Sequence, residues 1–115
     1  MRLVPNILVL HSTDLEERLI AEAKATGMSK SAVARQAIDH GFARVMGMSR
    51  GRILSMTHND TKMTNLPRVG AHLTFDTDRL IRSYAADLDI PVWRVYSLAI
   101  DAGLEHSSQL PLPQN

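Results

Sequence analysis

An internal repeat constrains the fold of this chain more than any other feature. The stretch AIDHG at residues 37–41 returns as AIDAG at residues 99–103, and a shift of 62 positions aligns eight identical residues without a gap. These pairs are Pro5 with Pro67, Asp14 with Asp76, Ala23 with Ala85, Val33 with Val95, Ala37 with Ala99, Ile38 with Ile100, Asp39 with Asp101 and Gly41 with Gly103. Eight identities in register favour an internal duplication. Since a unit of about 45 residues buries too little apolar surface to be stable alone, the two copies are expected to share one core.

Each half predicts the same order of elements: a strand, a helix, a tight turn and a second helix. The extended segments NILVLH and RVGAHLTF follow a proline and are rich in residues that favour strands. Cap residues and glycines set the helix limits. The predicted N-caps are Thr13 in the capping box TDLE, Ser29, Asp76 or Thr77, and Asp89 with Pro91; the predicted ends are Gly27, Gly41 and Gly103.

Two such units can close a core that one unit leaves open. We expect a mainly α fold in which a two-stranded antiparallel ribbon lies over four helices, in one pseudo-twofold domain. The predicted boundaries are residues 1–46 for the first unit, 47–66 for a linker with room for an extra helical turn, 67–106 for the second unit and 107–115 for a tail.

The composition excludes several classes of function. There is no cysteine, so a disulfide framework, a thiolate nucleophile and a Cys-containing zinc site are ruled out. The five histidines lack the spacing of metal ligands, and no nucleophile motif or glycine-rich phosphate loop is found. No apolar run approaches the roughly 18 residues of a membrane span. We therefore expect a cytoplasmic protein that is not an enzyme, with no metal, no cofactor and no membrane partner.

The positive charge is concentrated in the middle of the chain, although the net charge is only +1. Residues 44–72 carry five basic side chains against one acidic side chain, Asp60. A basic strip can guide a protein to a polyanion, and a solvated linker is an equally good explanation of charge alone. The basic residues of this strip are Arg44, Arg50, Arg52, Lys62 and Arg68.

The stretch STDLEERLIAEAKATGMSKSAVARQAIDHGF resembles the two-helix portion of the ribbon-helix-helix DNA-binding family of Arc-like and MetJ-like repressors. The resemblance covers residues 5–42 and 67–104, and the second half departs from it with LDIPVW at the turn. A single-chain tandem copy is similar to the TraY-type accessory proteins of conjugative relaxosomes. The resemblance implies that alternate ribbon residues enter the DNA major groove.

Strand periodicity then gives the candidate base contacts. In the second strand the apolar residues Val69, Ala71 and Leu73 share one face, which leaves Arg68, Gly70 and His72 for DNA. Arg68 is the strongest candidate because a guanidinium can pair with guanine O6 and N7. A phosphate contact or a free surface charge is the alternative for this residue.

In the first strand, the 62-residue alignment places Asn6, Leu8 and Leu10 at the positions of Arg68, Gly70 and His72. These three residues are therefore predicted to face outward. Leucines there can touch thymine methyl groups or be buried against a second copy. A register shifted by one residue instead places Ile7, Val9 and His11 outside. Either register leaves an apolar outer face on this strand.

Candidate phosphate contacts lie where each second helix begins, because a helix N-terminus has unpaired N–H groups and a positive dipole end. Ordinary helix capping is the alternative and is compatible with this role. The candidates are Ser29, Lys30, Ser31 and Arg35 in the first half, and Val92, Trp93 and Arg94 in the second.

The expected function is sequence-specific binding of double-stranded DNA, as a plasmid or phage transcriptional repressor or a conjugative relaxosome accessory factor. Two different strands predict an asymmetric subsite, with self-association of pseudo-dimers on adjacent subsites. The alternatives are a protein-interaction module and an antitoxin, which imply a relaxosome or toxin protein as partner.

Overall fold

A computed structural model describes residues 2–56 and 66–109, which form a mainly helical protein with a two-stranded antiparallel sheet. Residues 57–65 of the expected linker, with Asp60 and Lys62 of the basic strip, and tail residues 110–115 lie outside the described residues. The elements are β1 (Leu3–Val9), α1 (Thr13–Thr26), α2 (Lys30–Met46), α3 (Arg50–Met56), β2 (Arg68–Thr74), α4 (Phe75–Leu88) and α5 (Val92–Gln109).

The ribbon pairs β1 with β2 so that Ile7 lies opposite Gly70. The Leu10 amide donates to the Pro67 carbonyl at 2.9 Å, which places a hydrogen-bonded pair there. Because such pairs alternate along an antiparallel ladder, Pro5 falls in a non-hydrogen-bonded pair and removes no ladder bond. The strand can therefore begin at Leu3, before the proline that was expected to precede it.

The first helix of each half is capped earlier than the sequence predicts. The Ser12 hydroxyl accepts from the Leu15 amide at 3.1 Å, and the Thr74 hydroxyl accepts from the Thr77 amide at 3.2 Å. Both cap residues are extended, as N-caps usually are. The predictions of Thr13, and of Asp76 or Thr77, as caps were wrong.

The turn between the two helices uses a left-handed residue in each half. Gly27 ends α1 with φ 72°, as expected, and Asp89 ends α4 with φ 56°. The prediction that Asp89 caps α5 was wrong, because residue 89 occupies the position that Gly27 has in the first half. Ser29 caps α2 as predicted, with its hydroxyl accepting from the Ala32 amide at 3.1 Å.

The repeated glycines Gly41 and Gly103 lie at a helix crossing. The prediction that they end the helices was wrong. α2 packs more extensively against α5 than any other pair of elements does, and both helices continue beyond these glycines. A Cβ atom on Gly41 would overlap the Ala99 carbonyl, and one on Gly103 would overlap the Ala37 carbonyl. The repeat in AIDHG and AIDAG therefore supplies the small residues that let the two helix backbones approach closely.

Both halves contribute to one core beneath the ribbon, as the repeat predicts. A second cluster joins Val45, Ile53, Leu98 and Ala102. Ile53 lies on α3 and is fully buried, so the start of the expected linker is part of the packed protein. The main core includes Leu8, Leu10, Leu15, Leu19, Val33, Ile38, Leu73, Ile81, Val95 and Ile100.

The helices described above lie within residues 2–56 and 66–109. None of these helices combines the length and the apolar character that crossing a bilayer requires.

Candidate nucleic-acid interface

The ribbon has one face against the helices and one face turned away from them, which we call the outer face. On β2, Val69, Ala71 and Leu73 are buried, as predicted. The residues between them are exposed and form this strand's contribution to the outer face: Arg68, Gly70 and His72.

On β1 the orientation is opposite to the first predicted register and agrees with the alternative, shifted register for Ile7 and Val9. Leu8 and Leu10 are 1% and 0% exposed and belong to the core, whereas Ile7 is 75% exposed. Leu8 and Leu10 therefore cannot contact bases from this ribbon. Pro5 and Ile7 are exposed on the outer face, and Val9 lies on the same side but is buried.

A single extra residue between β1 and α1 explains this difference. Leu10, which follows β1 directly and is buried, lies two positions before the cap Ser12, whereas the corresponding residue Leu73 of β2 lies one position before the cap Thr74. The helices of the two halves are thus related by 62 positions and the strands by 63. Because side chains alternate along a strand, the gapless alignment assigned β1 the wrong face.

Asn6, the third predicted base contact of β1, instead belongs to a partly buried polar network. Its Nδ2 donates to Asp78 at 3.4 Å, and its Oδ1 accepts from Arg82 Nη2 at 3.2 Å. Asp78 also accepts from the Tyr96 hydroxyl and from Arg82 Nε, the latter at 3.0 Å. Asn6 therefore has a structural role that its position in an apolar strand did not indicate.

Sequence reasoning also missed the other members of this network. The only local signal was the i,i+4 spacing of Asp78 and Arg82, which pair at 3.0 Å. Burial, together with the hydrogen bond to Asp78, raises the pKa of Tyr96 far above its usual value. Tyr96 thus keeps its proton at neutral pH and satisfies the carboxylate, which is only 7% exposed.

The first turn of α2 adjoins the centre of the ribbon. The Ser31 hydroxyl donates to the Gly70 carbonyl oxygen, and Ser31 itself is exposed. Lys30 lies 3.9 Å from Glu16 and keeps 38% of its side chain exposed. Ser29, the helix cap, is also exposed, and Arg35 is half-buried one turn further along. The structure therefore places Ser31, among the phosphate candidates of the first half, directly against the ribbon at Gly70.

The start of α5 is built differently. Pro91 has no N–H to offer, and its carbonyl accepts from the Arg94 amide at 3.0 Å. The Arg94 guanidinium lies 4.8 Å from the centre of the Trp93 ring, in a cation–π contact. Val92, Trp93 and Arg94 are all half-buried. Their contact with phosphates stays a prediction.

Asp101, from the second copy of the repeat, holds a charged cluster between α1 and α5. It accepts from Arg18 Nη1 at 2.7 Å and lies 3.6 Å from His11 Nε2. Burial is the main cause that lowers the pKa of His11, and the charges of Arg18 and Arg94 lower it further, against the opposing effect of Asp101. A neutral His11 at pH 7 follows from this environment.

The described residues include no group of histidine, aspartate or glutamate side chains arranged to hold a metal ion. No protein-family model, curated protein or solved structure matches the chain. Its function is therefore inferred from the geometry of the chain itself.

Proposed function

We propose that the chain is a tandem ribbon-helix-helix protein, a pseudo-dimer in one chain, that binds double-stranded DNA with the outer face of its ribbon in the major groove. The observation that carries this proposal is the exposure of Arg68 and His72 on a ribbon whose opposite face covers the core. A two-stranded ribbon fits a groove about 12 Å wide. In this arrangement every second residue of each strand meets the base edges.

Arg68 is the proposed specificity contact. It is exposed opposite Val9, at one end of the outer face. A bidentate pair with guanine is worth about 1–3 kcal/mol of discrimination. His72, opposite Pro5, is the second polar side chain that can reach a base edge.

The helix starts are proposed to hold the phosphates on either side. Ser31 joins the ribbon centre to α2, so a backbone seated on the first turn of α2 has a fixed position relative to the outer face. Lys30 adds positive charge there, and Arg94 does so at α5. Phosphate contacts of this kind position the protein without reading sequence.

Because β1 and β2 present different side chains, we propose that one molecule recognises an asymmetric subsite. Two pseudo-dimers on adjacent subsites would bind by self-association. Such a protein acts as a transcriptional repressor or as a conjugative relaxosome accessory factor in the cytoplasm. Both roles require the same contact with DNA.

The test is selection of bound duplexes from a random library at about 150 mM salt, where nonspecific phosphate attraction is weakened. We expect a short asymmetric motif, lost with Arg68→Ala and kept with Arg79→Ala. Arg79 is an exposed arginine on α4, outside the ribbon, so the control removes the same charge. No enriched motif would contradict the proposal.

A second candidate function is a protein-interaction module, including an antitoxin. It is favoured by the exposed apolar side chains of β1, Ile7 at 75% and Leu3 at 43%. In this case Arg68→Ala would leave partner binding unchanged and Ile7→Ala would weaken it.

A further inference from the structure

At the centre of the outer face, the most exposed apolar side chain of β1, Ile7, lies opposite a glycine of β2, Gly70. Ile7 is 75% exposed, more than any other large apolar residue of the described chain. Its cross-strand neighbour is Gly70, in a non-hydrogen-bonded pair where side chains come closest. The side of the ribbon next to Ile7 is therefore open.

The backbone does not require glycine at this position. Gly70 has no positive φ, unlike Gly27, and a Cβ atom there would meet only the Asn6 carbonyl oxygen, at 4.0 Å. Glycine within a strand also lowers its stability relative to alanine. The fold thus tolerates a side chain at residue 70, and its absence leaves space at the surface.

The chemistry of this surface matches one group in the major groove. Pro5 and Ile7 have no side-chain hydrogen-bond donor or acceptor, and the 5-methyl of thymine is the apolar group that base pairs present in this groove. Without a Cβ at Gly70, a base edge can approach the ribbon beside Ile7. The hydrogen bond from Ser31 to the Gly70 carbonyl fixes this part of the ribbon against α2.

We propose that Ile7, beside the gap at Gly70, recognises a thymine methyl at the centre of the DNA site. This inference rests on the DNA-binding function proposed above. Arg68 lies two residues from Gly70 along β2, roughly 6.6 Å away, which corresponds to about two base-pair steps. The preferred site therefore places a T·A pair about two steps from a G·C pair.

DNA fits this surface better than a second copy of the protein does. The exposed Arg68 and His72 share the outer face with Ile7. Two ribbons placed face to face would bury these polar groups against apolar strands, which is unfavourable without partners. A polyanion with methyl groups in its groove satisfies both kinds of side chain.

The first experiment replaces each thymine of the selected duplex in turn with deoxyuridine, which removes only the methyl group. We expect one central position to lose about fourfold in affinity, the value of one buried methyl group. With Ile7→Ala, the same replacement should have no further effect, because the contact is already absent. Binding is measured by fluorescence anisotropy at one salt concentration.

The second experiment uses Gly70→Ala. We expect an unchanged or higher melting temperature together with at least a tenfold loss of affinity for the selected duplex. Ile7→Val keeps an apolar β-branched side chain and should bind within about twofold of the natural protein. Thermal unfolding of all three variants, including Ile7→Ala, shows that each is folded.

The outcomes distinguish the two proposals. A selected duplex whose affinity is insensitive to every deoxyuridine replacement would overturn thymine recognition and leave DNA binding intact. No selected duplex at all would overturn both. If sedimentation shows that the free protein is a dimer and that Ile7→Ala is a monomer, this face binds a second copy. Thymine recognition would then be wrong.

Discussion

The two strands of the ribbon have the same inner role and different outer surfaces. Inward, Leu8 of β1 with Leu10 just after it, and Val69, Ala71 and Leu73 of β2, belong to one core. Outward, β1 presents Pro5 and Ile7, whereas β2 presents Arg68, Gly70 and His72. Packing therefore requires apolar residues from both strands on the inner face only. The residues of the outer face are free to differ between the strands.

The same contrast separates the helix crossing from the helix starts. The crossing uses the same small residues in both halves, Ala37 with Gly41 and Ala99 with Gly103. The starts differ, since Ser29 caps α2 while Pro91 precedes α5. The small residues buried at the crossing are repeated, whereas the residues at the helix starts are not. Substitutions at the two kinds of position should accordingly affect different measurements.

The largest effect is expected at the crossing. Gly41→Ala would place a Cβ on the Ala99 backbone, which cannot move without separating the helices. We expect a loss of about 3 kcal/mol or more in the free energy of unfolding, at the upper end for overpacked cores. Chemical denaturation measures it. Gly51→Ala, where a Cβ meets nothing within 4 Å, is the control and should not destabilise. Equal stability of the two variants would show that the crossing is not close.

The next effect compares the two strands in DNA binding. Arg68→Ala should lower affinity for the selected duplex by about 10- to 100-fold, the value of a bidentate base contact. Pro5→Ala, at the position of β1 related to Arg68 by 63 residues, should change affinity by less than about threefold, because it removes little apolar surface. Anisotropy titrations give both values. Similar losses of affinity in Arg68→Ala and Pro5→Ala would mean that Arg68 is not the specificity contact proposed here.

A smaller effect is expected at the left-handed turns. Gly27→Ala forces a Cβ into a conformation with φ 72° and should cost about 1 kcal/mol of stability. Asp89→Gly relieves the same conformation in the second half and should stabilise by about 0.5 kcal/mol. Thermal unfolding should therefore shift in opposite directions. A destabilised Asp89→Gly would indicate that the aspartate side chain stabilises this turn.

The smallest effect concerns pH and the cluster around Asp101. Because burial lowers the pKa of His11 from its ordinary 6.5, the unfolded chain binds the proton first as the pH falls. The stabilising contribution of neutral His11 is present above pH 6.5 and is lost as the pH falls toward the lower folded-state pKa. The melting temperature should drop between pH 7.5 and 5.5, and by less in His11→Gln. A larger drop in the variant would contradict the direction of this shift.

Much of the fold could be predicted from the repeat because buried positions follow helix and strand periodicity. The face of β2 was predictable since Val69, Ala71 and Leu73 alternate with polar residues. The face of β1 was not, because Ile7, Leu8, Val9 and Leu10 are all apolar and the decisive extra residue lies outside the strand.

Other features depend on contacts between distant residues. The Asn6 network joins residues 72 positions apart, and no local pattern signals it. A glycine such as Gly41 is also typical of a helix end. Only its contact with the backbone of Ala99, on the other helix, shows that it lies at a crossing. The burial of Ile53 likewise depends on a cluster that includes Leu98 and Ala102 of α5, more than forty residues further along the chain.

The central claim is that the outer face of the ribbon is the surface that contacts DNA. It is tested most directly by following backbone amide resonances of isotopically labelled protein during titration with the selected duplex. We expect the largest shifts at Ile7, Arg68, Gly70 and His72 and in the first turn of α2, with little change around Arg79 on α4. Shifts confined to the outer side of α4, or to the cluster around Asp101, would contradict the account.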